Sequence, residues 1–231
     1  MLNIKINIIS VNYEASLSNL LPAAFERYKN MPKGSGAVRF IQELNDVSAD
    51  SLSRILKCLP KELYNRLLCI IFRLFSNEIT INLNAALQKQ LPGSIIKINE
   101  ILLNQEASGE LSLYINNIET DYNSLINFSS QKINDSIISW ILKTIVPVLS
   151  KIPPDKQESG LVSFLQNGFI KRKIESMAEK SLLNNGIILK IGGITFSQAQ
   201  DNIIDYIELE KLDKVEEDFL NIIVSLLKPL G

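Results

Sequence analysis

The chain contains no histidine. Every mechanism that depends on imidazole, whether Ser-His or Cys-His nucleophilic catalysis or a histidine-ligated metal, is excluded on that ground. Cysteine is scarce: Cys58 and Cys69 are the only two, too few for a disulfide framework. Both stand among Leu and Ile neighbours. Apolar surroundings raise a thiol's pKa, so both read as small buried hydrophobes and neither as a nucleophile. On one continuous helix they would lie about 16 Å apart along the axis, beyond disulfide reach, although Pro60 between them can break such a helix.

Long apolar runs are also missing. The two greasiest segments, 67–75 and 137–149, are interrupted by Arg73 and by Lys143 and Pro147, and neither approaches the ~20 residues a membrane span requires. The first ten residues alternate polar and apolar where a signal peptide would be continuously apolar, so a cytoplasmic location is expected. Excess charge of one sign is absent too, with 24 basic against 25 acidic residues. No global field draws the chain to nucleic acid or to an anionic surface. Lys171, Arg172 and Lys173 form the single compact basic run and read as a solvated helix face.

Glycine motifs are incomplete. Gly34-Ser35-Gly36 lacks the rest of a dinucleotide fingerprint and is not followed by the Gly-Lys-Ser/Thr of a P-loop, so it reads as a connector. Gly192-Gly193 reads as a bulge in a strand. With no cysteine cluster, nucleophile elbow or calcium loop, no cofactor and no metal site are expected.

What the chain does have is a repeat. Residues 4–16 match residues 96–108 without a gap, nine of thirteen pairs being identical at a constant offset of 92, and a fainter echo of the first residues recurs at 189–194. Each copy reads as a strand whose apolar phase changes part-way. Ile4, Ile6 and Ile8 fall on one side and Ile9, Val11 and Tyr13 on the other, which calls for a bend near Ile8.

The pattern then predicts helical segments at 17–28, 48–59 and 61–76, a strand at 78–87, and a hairpin of 94–103 and 110–119 turning at Ala107-Ser108-Gly109. Helices at 131–149 and 159–183 flank a break at Ile152-Pro153-Pro154-Asp155, followed by a strand at 187–196 and an amphipathic helix at 198–229. Together these predict an α+β fold: a single domain over 1–231, internally duplicated in pseudo-twofold fashion. Repeat 1 would cover about 1–92 and repeat 2 about 93–197, with curved antiparallel strands packed on long apolar helices and a C-terminal helix. Over about 93–196 curved strands around greasy helices loosely resemble the tubular lipid-binding architecture, a likeness of shape carried by no diagnostic motif.

Two sets of residues are candidates for function. The duplicated Asn-x-Glu-x-Ser row places Asn12 and Glu14 on one strand face and Asn104 and Glu106 on its counterpart. Two such carboxylates could meet as acid and base or hold a hard cation, or simply lie on solvated strand edges. The helices offer Leu68, Phe72, Phe75, Ile138, Trp140 and Ile141, apolar on more sides than one neighbour can cover, as core, as the lining of an apolar cavity or as a subunit interface. The expected function is non-enzymatic binding of a lipid-like ligand or a protein partner through apolar surface between helices and sheet. The alternatives are a structural protein forming a homodimer and, third, a carboxylate-dependent enzyme.

Overall fold

The N-terminal alternation of Ile with Asn and Lys forms strand β1 (Leu2–Val11) in the computed structural model, which describes residues 1–12, 60–91, 95–128, 136–184 and 189–199. Helix α1 (Lys61–Gln90) leads to the short strand β2 (Ile96–Lys97), β3 (Glu100–Gln105) and β4 (Leu111–Thr120). Among the described residues α2 (Tyr122–Asn127), α3 (Ser136–Leu149), α4 (Gln157–Leu165) and α5 (Gly168–Asn184) follow, and then strand β5 (Leu189–Gln198). The fold is mixed helix and strand around one open antiparallel sheet. β1 lies between β4 and β5, and β4 pairs on its other side with β3 and β2.

Register separates the two faces of the sheet. Leu2, Ile4, Ile6 and Ile8 of β1 stand opposite Ile118, Ile115, Leu113 and Leu111 of β4, and opposite partners share a face. Ile194 and Phe196 of β5 join them. This apolar face meets Leu142, Ile145 and Leu149 of α3, Leu161 and Leu165 of α4 and Ile170 of α5 in the main core, while Ile8 and Leu111 join Cys69 of α1 in a smaller cluster. The alternate positions, Lys5, Asn7, Ser112, Tyr114 and Asn116, make the other face polar.

The bend anticipated near Ile8 is present. Asn7 pairs with Gly193, Ile8 with Ile191 and Ser10 with Lys190, which leaves Ile9 and Gly192 unmatched on the two strands. They are close: a Cβ on Gly192 would come within 2.6 Å of Ile9 Cγ1, so a side chain at this bulge would have to displace Ile9. A second irregularity faces Asn3, where the register shifts between Leu2 and Ile4. Asn117 there takes a φ of 53°, which asparagine tolerates better than most residues, and its amide donates to Asn3 Oδ1 at 2.8 Å.

Both edges of the sheet are flanked by helices. α1 packs alongside β3 and β2. Where the ladder lapses between those strands, Asn84 takes the place of a strand neighbour. Its Nδ2 donates to the Ile98 carbonyl at 2.7 Å, and its Oδ1 accepts from the Ile98 amide at 2.9 Å. On the β5 edge the Ile191 and Ile194 amides donate to Glu179 and Glu175 of α5 at 2.8 and 3.0 Å, and the Phe196 carbonyl accepts from Gln166 at 2.7 Å.

Three expectations need correction. Residues 78–87, expected as a strand, belong to α1. Their alternating pattern is overridden by packing: on the helix Ile79 and Leu87 lie half-buried against the main core, and the Thr80 hydroxyl donates to the Ser76 carbonyl one turn back. The cost is exposure of Ile81 (59%) and Leu83 (40%). The single helix expected at 159–183 is two, because Asn167 Oδ1 accepts from the Phe169 amide and starts a new helix. The first hairpin arm, expected to run through 94–103, is divided at Ile98 and Asn99. The segments expected at 17–28 and 48–59 and the tail beyond Ala199 lie outside the described residues.

Candidate functional site

Glu106 sits where β3 enters the turn to β4. Its amide donates to the Glu110 carbonyl, and its own carbonyl accepts from Gly109, whose φ of +82° closes the turn. The turn aims the carboxylate back over the polar face. There Oε1 accepts from the Tyr114 hydroxyl at 2.5 Å and pairs with Lys5 Nζ at 2.9 Å. Tyr114 and Lys5 are register partners on β4 and β1, and Lys5 Nζ lies 5.2 Å from the centre of the Tyr114 ring.

These donors fix the charge on Glu106. The Tyr114 hydroxyl, then the Lys5 ammonium and the Ser112 hydroxyl, pull its carboxyl down to about 2, while hydrogen bonding to Tyr114 and then to Glu106 raises Lys5. Both groups stay charged at neutral pH, so Glu106 has no proton to donate and little basicity to offer. The same polar face holds Asn116, donating to Glu100 Oε2 at 2.8 Å, and Ser112, donating to Asn7 Oδ1 at 3.2 Å.

Beside this lock an open cleft of about 350 Å³ runs between α1 and the hairpin. Arg66, Cys69, Ile70 and Arg73 line one wall and Asn104, Gln105, Glu106, Ala107 and Tyr114 the other. Arg66 and Arg73 are two helical turns apart and so project from similar sides of α1. Cys69 and Ile70, both buried, lie between them. Among the described residues no group of three or more Cys, Asp or Glu side chains could hold a metal ion.

The structure thus brings Asn104 and Glu106 to one cleft. Asn12 is exposed just past the end of β1, and Glu14 lies outside the described residues. Among the apolar candidates, Leu68 packs half-buried on the Ile8–Cys69–Leu111 cluster, and Phe72, Trp140 and Ile141 pack half-buried on the main core. The side chains of Phe75 and Ile138 lie outside the described residues. Sequence reasoning missed Lys5, Tyr114, Arg66 and Arg73, because only strand pairing between segments more than a hundred residues apart, and the seating of α1 beside β3, bring them to Glu106. Comparison with protein-family models, curated proteins and solved structures finds no match to the chain.

Proposed function

We propose that the protein is a non-enzymatic binding protein whose cleft between α1 and the β3–β4 hairpin receives the polar end of an amphipathic, anionic ligand. The composition of the lining carries this reading. Two guanidinium groups, of Arg66 and Arg73, stand on the α1 wall on either side of Cys69 and Ile70, and opposite them the Glu106 carboxylate is held by Lys5 and Tyr114. A guanidinium carries five N–H donors, more than one partner uses, and is the side chain best suited to a carboxylate or phosphate head. In this reading the two similar strands on either side of β4 descend from one duplicated unit. β1 and β3 run in the same direction, yet opposite Ile115 stand Ile4 and Ile101, whereas the repeat aligns Ile4 with Ile96, so the copies are slid along each other.

Native mass spectrometry of protein purified without added lipid, followed by titration with a fluorescent long-chain fatty acid, tests the reading. A discrete surplus mass lost on denaturation, or saturable binding weakened roughly tenfold by Arg73→Ala and further by Arg66→Ala, is the expected result. A bare chain that fails to bind the probe overturns it. A clean dimer without surplus mass supports the alternative, homodimer assembly, which draws on the exposed Ile81 and Leu83 of α1.

A further inference from the structure

The outer face of α5 divides its charges in an unusual way. Within the helix, Glu175 and Glu179 lean to one flank, where they accept from the Ile194 and Ile191 amides of β5. Beyond Gly168, its first residue, the exposed positions among the described side chains of the helix are Phe169, Arg172, Lys173, Ser176, Lys180 and Leu183. At 3.6 residues per turn these fall in one stripe roughly 100° wide. The stripe holds three cations and no acid. Phe169 stands at one end, 73% exposed, and Leu183 at the other, 55% exposed, about 21 Å apart along the axis. A shallow, mostly apolar depression of about 410 Å³ lies between Phe169, Arg172, Lys173 and Ser176.

We infer that this stripe docks the protein on an anionic lipid surface. The basis is charge complementarity combined with shape. The stripe follows a straight line on a convex helix, so all its groups can touch one plane together. Lipid phosphates would sit against Arg172, Lys173 and Lys180, and Phe169 and Leu183 would enter the interface at either end. The attachment lies on the surface, since among the described residues no helix is long and apolar enough to cross a membrane. The near-zero net charge is no obstacle. What matters within a Debye length is the local stripe, and its acids are engaged with the sheet edge. The inference does not rest on the ligand proposed for the α1 cleft.

Co-sedimentation of the full chain with phosphatidylcholine vesicles, with and without about 30% phosphatidylglycerol, tests it. The protein should pellet with the anionic vesicles alone and be released when salt rises from about 0.05 M to about 0.5 M. Each cation contributes roughly fivefold to partitioning, so Arg172→Gln/Lys173→Gln/Lys180→Gln should weaken binding by on the order of a hundredfold, and Phe169→Ser several-fold. Because these side chains are exposed, the variants should melt with the wild type, and Arg66→Ala/Arg73→Ala should bind vesicles normally. Equal binding to neutral vesicles, no binding to either, or an unaffected triple variant overturns the inference. So does preference for an acidic polypeptide, tested with polyglutamate as competitor, over the anionic vesicles.

Discussion

At the scale of single residues, Glu106 makes a prediction about acid. Its carboxyl lies at about 2 in the fold against an ordinary 4.5, so the folded state favours the ionised form. That contribution is whole above about pH 4.5 and drains away as the pH falls toward 2. The group is partly exposed, and removing one member of such a lock should cost about 1 kcal/mol at neutral pH. Urea unfolding should therefore show Glu106→Gln less stable than wild type at pH 7, with the gap narrowing steadily below about pH 4.5. A gap that stays constant with pH would mean the carboxylate charge contributes nothing. The close approach of Ile9 and Gly192 makes a second prediction. Gly192→Ala should cost about 1–2 kcal/mol, because its Cβ would press on Ile9. Ile9→Ala, at an exposed site, should cost little alone and relieve most of that penalty in the double variant.

At the scale of elements, the β5 edge is closed by side chains. A strand edge with free amides invites another strand, and here two carboxylates and an amide occupy the outward groups. Glu175→Ala/Glu179→Ala should lose about 2–4 kcal/mol and form concentration-dependent oligomers in sedimentation velocity, while Gln replacements, which keep an acceptor, should stay closer to wild type. How far elements could be read from sequence follows from how local their causes are. The strand at 189–198, the turn at Gly109 and the bend near Ile8 are written in nearby residues: a glycine pair, a tight-turn glycine and a change of phase. The helix over 78–87 is not, because its alternation favours a strand and packing overrides it. The Lys5–Glu106–Tyr114 lock was equally hidden, since Lys5 looks like any polar residue of an alternating strand until β4 is laid beside it.

At the scale of the whole molecule, β1 is the middle of the sheet. Ladders on both sides make its amides between Ile4 and Ile8, with those of Leu111–Ile115, the expected slowest to exchange with deuterium, and β3 and the ends of α1 the faster. Deleting residues 1–11 should abolish cooperative unfolding, because β4 and β5 lose the strand that joins them. Refolding should take milliseconds to seconds, as pairings between distant segments are slow to find. The same placement bears on how the chain leaves the ribosome. β1 emerges well before β4 and long before β5, and at ~5–20 residues per second it waits roughly 5–20 s for the first and roughly 10–35 s for the second. Through that interval its alternating lysine and asparagines are what separate it from other nascent strands. The polar face that later holds the Glu106 lock first serves as β1's protection against joining the wrong chain.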